Sequence, residues 1–212
     1  MARYALPPDE TEARSLQLVD RAIDAARWPG AEREIVRRLV YAAGDAAIAD
    51  LVRIHPSALS AGTAALRGGC PIIVDVRMVE VALDRVSASS LGCQVHCAID
   101  APAVIEEAKA SGLSRAAVAI RSLATHLEEA LVVVGTAPTA LLALLDLLDA
   151  GGPAPSLIVG TPVGFVAAAQ AKVELTARRV PYITILGTRG GAALGATAAN
   201  ALLQLAVSGD PP

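Results

Sequence analysis

The stretch Leu131-Val132-Val133-Val134-Gly135-Thr136-Ala137-Pro138 decides the fold. Its apolar run shows no alternation and is too short for a core helix. That is how a strand covered on both faces of a parallel sheet reads. Gly135-Thr136 makes the turn, and Pro138 opens a helix, where its missing N–H leaves no bond unmade. Gly151-Gly152-Pro153 stops that helix. The same unit recurs on both sides. Pro71 to Val76, Gln94 to Ile99, Ser156 to Val159 and Tyr182 to Leu186 bring the expected strands to five. Helices are expected between them: Pro102 to Ser111-Gly112, Ser114 towards Glu129, Gly164 to Arg178 and Gly191 to Val207. Ala31 to Ala43 adds an amphipathic helix with its stripe on Ile35, Val36, Leu39, Val40 and Ala43. The expectation is an α/β domain of three layers over residues 1–212. It has a five-stranded, mostly parallel sheet, helices on both faces and a helical part before residue 71.

The 212 residues are 54% hydrophobic and 18% charged, enough apolar surface to exclude disorder for the bulk of the chain. Net charge is −3, so there is no basic surplus for a nucleic-acid surface. Aromatics at 2% leave no stacking platform for single-stranded bases. Mean hydropathy is +0.51, yet the longest apolar runs, Leu131 to Val134 and Ala140 to Leu145, are far short of a span. Residues 1–20 carry acids and arginines and no apolar h-region, so no signal peptide is expected and the cytoplasm is the default. Cys70, Cys93 and Cys97 are too few for a disulfide framework.

Three strand-to-helix turns share a pattern: Gly135-Thr136, Gly160-Thr161 and Gly187-Thr188. In a doubly wound sheet ligands bind beyond the carboxyl ends of strands, so these turns read either as rims of one crevice or as ordinary turn chemistry. The glycine-rich run Gly187 to Gly195 does not match G-x-G-x-x-G, and no P-loop occurs. What survives is an anion-binding helix start with Arg189 attached. Cys93-Gln94-Val95-His96-Cys97 would place His96 opposite the two cysteines on a strand, which argues for buried thiols over zinc. No nucleophile elbow is present. Glu106-Glu107 and Glu128-Glu129 diverge on helices. Opposite the apolar stripe of the 31–43 helix lie Arg37, Arg38, Tyr41 and Asp45. That face is either a solvated surface or an arginine beside a phenol, fit to hold an anion and give it a proton.

Several stretches then resemble one family in order along the chain. They are Arg37-Arg38-Leu39-Val40-Tyr41-Ala42-Ala43-Gly44, Pro71 to Asp75 with Met78-Val79, and Gly112-Leu113-Ser114-Arg115. They continue with Val134 to Leu141, Leu157 to Ala169, Val180-Pro181-Tyr182-Ile183, Gly187 to Ala192 and Ala199 to Leu202. The pair G-x-A-P-T-A-L and G-x-P-V-G-F is specific, and the chain resembles the precorrin-8X methylmutases of corrin biosynthesis. The resemblance implies a flavodoxin-like fold, a homodimer with its site near the subunit interface and no organic cofactor. It implies an isomerase that moves a methyl group from C11 to C12 of precorrin-8X or cobalt-precorrin-8, giving hydrogenobyrinic or cobyrinic acid.

The family motif R-x-[VI]-H-x-x-G has its histidine where this chain has Tyr41. A phenol is a weaker acid than an imidazolium by about 3.5 pKa units, or about 4.8 kcal/mol. Arg38 nearby would narrow that gap. The resemblance therefore implies Tyr41 as a hydrogen-bonding acid acting on a cobalt-loaded ring, which the metal already polarises. It also carries Ser15 and Arg38 to the substrate, together with Arg115, whose family serine is Ala116 here. Substrate carboxylates would meet arginines, Arg189 included, and the helix starts at Thr136, Thr161, Gly190 and Gly191. No metal of the protein's own is expected. Two other readings stay open. One is a carrier that holds the tetrapyrrole without catalysis, having lost the histidine. The other is a flavodoxin-type nucleotide enzyme, disfavoured by the missing phosphate loop and the scarcity of aromatics.

Overall fold

The computed structural model describes residues 7–209. The chain opens with α1 (Pro8–Ala22), α2 (Gly30–Ala43), the short α3 (Ile48–Leu51), β1 (Val52–Ile54) and α4 (Ala58–Arg67). Next come β2 (Ile72–Val74), α5 (Arg77–Ala82), α6 (Arg85–Ser90), β3 (Val95–His96), α7 (Pro102–Ser111) and α8 (Arg115–Ser122). A 3-10 turn (Ala124–His126) leads to β4 (Leu131–Val134), α9 (Pro138–Asp149) and β5 (Leu157–Gly160). Last are α10 (Ala168–Thr176), β6 (Tyr182–Ile185) and α11 (Ala192–Ser208).

One sheet runs β1-β6-β5-β4-β2-β3. Every neighbouring pair is parallel except β1 with β6. The five parallel strands follow the spatial order second, first, third, fourth, fifth, which is the flavodoxin arrangement. The sixth strand corrects the expected count of five. Val52, Arg53 and Ile54 pair antiparallel with Ile185, Thr184 and Ile183. Three residues centred on an arginine carry no strand pattern of their own; the partner edge makes them a strand. Among the described residues no helix is long and apolar enough to cross a membrane.

Other boundaries move for local reasons. The strand expected from Gln94 to Ile99 keeps only Val95–His96, because the chain turns away and the Ala101 N–H donates to Ala98 O at 3.0 Å. The helix from Ser114 stops at Ser122, where the Leu123 N–H tightens onto Ile120 O at 3.2 Å. The helix expected to begin at Gly164 begins at Ala168, because Gly164 (φ 143°) and Ala167 (φ 63°) hold the preceding residues in a loop.

The unbroken apolar runs are explained by the two layers. Leu131 and Val133 face a core shared with α2, α4 and α11, while Val132 and Val134 face α8, α9 and α10. Ile72 and Val74 go with the first layer and Ile73 with the second. Alternation is present, but both sides are apolar because both are covered.

At the switch between β2 and β4 sits Asp75, fully buried. Its carboxylate accepts the N–H of Gly135 at 3.0 Å, of Thr136 at 2.8 Å and of Ala137 at 2.9 Å. Burial pushes the Asp75 carboxyl above the usual carboxylate range, and the three N–H bonds offset only part of that rise. The side chain thus caps α9 across a gap of 60 residues in sequence. Asp75→Ala should lower unfolding stability by about 3 kcal/mol, since one buried and two part-buried donors lose their acceptor. Asp75→Asn should cost less, because one carbonyl acceptor remains. Urea denaturation of the three proteins checks the order.

Candidate active site

Beyond the carboxyl ends of β5 and β6, a hollow of about 500 Å³ opens on the α2 and α11 side of the sheet. The end of α2 supplies Ala42, Ala43 and Asp45, the β5 loop supplies Val163 and Phe165, and the β6 turn supplies Arg189. The two loops are laced together. The Gly191 N–H donates to Thr161 O at 2.8 Å, and the Gly164 N–H donates to Thr188 O at 3.0 Å. Gly190 (φ 157°) lies so close that a Cβ there would stand 2.2 Å from Thr161 O, so only glycine fits. Arg189 reaches from its turn to Asp45, Nη1 to Oδ2 at 2.5 Å, while the other Asp45 oxygen accepts the Ala47 N–H at 2.9 Å.

Tyr41 stands on the last turn of α2, next in sequence to the lining residues Ala42 and Ala43, and is 42% exposed. Among the described residues its hydroxyl makes no hydrogen bond, so it is available to a ligand. Gly190 lines the hollow and Gly191 follows as the residue before α11. Thr161 is buried beneath the loops, its Oγ1 without a partner among the described residues.

The remaining expected residues lie elsewhere. The backbone N–H of Thr136 is taken by Asp75, which removes the α9 start as an open anion site. Arg38 is held by Glu34 at 2.7 Å and Glu12 at 3.3 Å, so its charge is spent in the α1–α2 seam. Ser15 sits in α1, its hydroxyl donating to Thr11 O at 2.8 Å. Arg115 is exposed at the start of α8, in the opposite helical layer. Its neighbour Ser114 caps α8 and shares a 2.6 Å hydrogen bond with Thr139 of α9. His96 packs its ring 5.1 Å from that of His126, away from Tyr41.

The roles of three residues of this region escaped the sequence reading. Asp45, named there only for its helix face, caps the turn and holds Arg189. Phe165, the one phenylalanine of the chain, is 94% exposed at the rim. Lys172 is fully buried behind the Arg189 turn. Its signal was in the sequence: Ala168, Ala171, Lys172 and Leu175 form the buried stripe of α10, and a lysine there breaks the apolar pattern.

Residues 10–205 match the family model described as precorrin-8X methylmutase. A precorrin-8X methylmutase of Pseudomonas aeruginosa is 43% identical over 191 residues, covering 89% of this chain and 91% of that protein. A cobalt-precorrin-8 methylmutase of Leptospira interrogans is 35% identical over 202 residues, covering 92% of each. The crystal structure of precorrin-8X methylmutase from Thermus thermophilus superposes with a TM-score of 0.87 at 34% identity, covering 95% of this chain and 97% of that one. The match extends over the sheet, both helical layers and the loops that wall the hollow, and the chain belongs to the precorrin-8X methylmutase family.

Proposed function

We propose that this protein is the isomerase that moves a methyl group from C11 to C12 of the precorrin-8X or cobalt-precorrin-8 ring. The product is hydrogenobyrinic or cobyrinic acid. The carrying observation is the hollow between the α2 end and the two laced loops, with the exposed Tyr41 on the same last turn of α2 as the lining residues Ala42 and Ala43. It has an apolar wall in Val163 and Phe165 and a cation in Arg189, which suits a flat ring edged with carboxylates. The potential that holds the polyanion is local, so a net charge of −3 does not oppose it.

In this reading Tyr41 donates a hydrogen bond to the conjugated ring as the methyl group leaves C11 and bonds to C12. The atoms of the substrate are conserved, so no second reactant is required. A substrate carboxylate competes with Asp45 for Arg189, and Phe165 covers the ring face from water. A chelated cobalt, carried by the substrate, lowers the demand on the acid, and this favours cobalt-precorrin-8. Thr161 supports the site from beneath the loops, while Ser15, Arg38, Arg115 and Thr136 stand outside the hollow. Phe165 and Val166, both highly exposed, support a homodimer whose second copy completes the enclosure. The three free thiols, with burial pushing Cys70 up to about 12, are consistent with work in the cytoplasm.

Catalytic amounts of the protein should convert the visible spectrum of the ring precursor to that of the product; a carrier would only shift it at one equivalent. Tyr41→Phe should lower turnover about a hundredfold or more, and Tyr41→His should keep it. Undiminished turnover in Tyr41→Phe would remove the phenol from the mechanism. Light scattering should give twice the 21.5 kDa of one chain, and Phe165→Ser should shift that mass towards the monomer.

A further inference from the structure

Lys172 is one of two lysines in the chain and has no exposed surface. It occupies a core position of α10 between Ala168 and Leu175, where an apolar residue would serve stability better. Among the described residues the one hydrogen-bond partner of its ammonium is the carbonyl oxygen of Arg189, at 2.6 Å. Burial alone pushes its pKa down, to about 8. A charge kept in the core at a cost to stability calls for a task other than packing.

The turn it touches is held at a few defined points. Residues 187–191 include three glycines, Gly187 (φ 77°), Gly190 (φ 157°) and Gly191 (φ 120°), which bring no side chains to pack. Two backbone bonds to the β5 loop, the Arg189–Asp45 ion pair and the Lys172 ammonium are its anchors. Of the two side-chain anchors, the ammonium is the one that grips the backbone, at the residue whose guanidinium lines the hollow. We propose that Lys172 is a positioning residue of the site: by fixing the Arg189 carbonyl it aims the Arg189 side chain at the substrate carboxylate. This rests on the function proposed above.

The surroundings allow the ammonium to act as a titrating latch. Arg189 and Asp45 stand on the side of the turn and satisfy each other. On α9 lie Asp146, paired with Arg121, and Asp149, paired with Arg178; on α10 lies Glu174, also paired with Arg178. Tyr182 begins β6. Among the described residues none of these carboxylates pairs with Lys172. The unfolded chain keeps this proton up to 10.5 and the folded chain up to about 8. For this group, stability therefore rises as pH climbs between the two values, because the cost of the buried charge is relieved. The grip on Arg189 is lost over the same climb, since a neutral amine donates a weaker hydrogen bond. Site and stability thus move in opposite directions.

The test compares wild type, Lys172→Met and Lys172→Arg. With the ring precursor, Lys172→Met should raise KM about tenfold with kcat little changed. Wild-type KM should climb above pH of about 8, a limb absent from Lys172→Met and displaced to higher pH in Lys172→Arg, which keeps its charge. Hydrogen exchange of the 187–191 turn, which needs no substrate, should quicken in Lys172→Met while its melting temperature holds or rises. Unchanged KM and exchange in Lys172→Met would overturn the proposal. Should that variant not fold, a wild-type alkaline limb left in place in Lys172→Arg would overturn it equally. Absence of conversion by wild type would instead sink the function, while the exchange experiment still decides the role of the lysine.

Discussion

Three amide hydrogens at the start of α9 point at one carboxylate, Asp75, from the end of β2. The rest of the molecule is arranged around that joint. In a sheet of this order the switch between β2 and β4 is where a ligand would be expected to find the helix start. Here an internal anion fills the place. Gly135 lies under it so tightly that an added Cβ would meet Val79 at 2.6 Å and the Ala192 backbone at 2.9 Å. The joint fills that place, and the hollow lies further along the rim, past β5 and β6. A capping contact thereby shifts the usable mouth of the sheet towards α2.

The region to which it is shifted is built from loops with few degrees of freedom. Gly190 is pressed against Thr161 O, and Ala167 takes a left-handed conformation that side-chain-bearing residues seldom adopt. Such loops hold their shape before a ligand arrives, which reduces the ordering cost of binding. Positive charge is rationed as well: Arg38 is neutralised by two glutamates, while Arg189 is tied to one aspartate and faces open space. An acidic chain can in this way present a cation at one point and stay repellent to anions elsewhere.

Local order was readable wherever the signal was local. The run from Leu131 to Val134, the proline at 138 and the serine at 114 each announced their element, because strand burial, helix starts and caps depend on neighbours in sequence. The strand at Val52–Ile54 was not, since a three-residue strand is made by the edge it joins. The same division holds for the site. Tyr41 could be singled out from its helical face and from the family motif. The destination of Asp75, the pairing of Asp45 with Arg189 and the reach of Lys172 each span a long loop closure. Pattern along the chain says nothing of such closures. Lys172 did leave a trace, a charge in an apolar stripe, and buried charges of that kind are worth asking about in any amphipathic helix.

The sheet ends on one side in a two-residue strand, β3, and on the other in a three-residue strand, β1, that runs against its neighbour. Neither offers a ribbon of free backbone long enough for another molecule to zip onto. A homodimer of the kind proposed would then form through side-chain relief on its helical faces and loop tips. Shape complementarity, and not main-chain adhesion, becomes the selector of its companions, and crowding or partial misassembly has little template from which to grow fibrils.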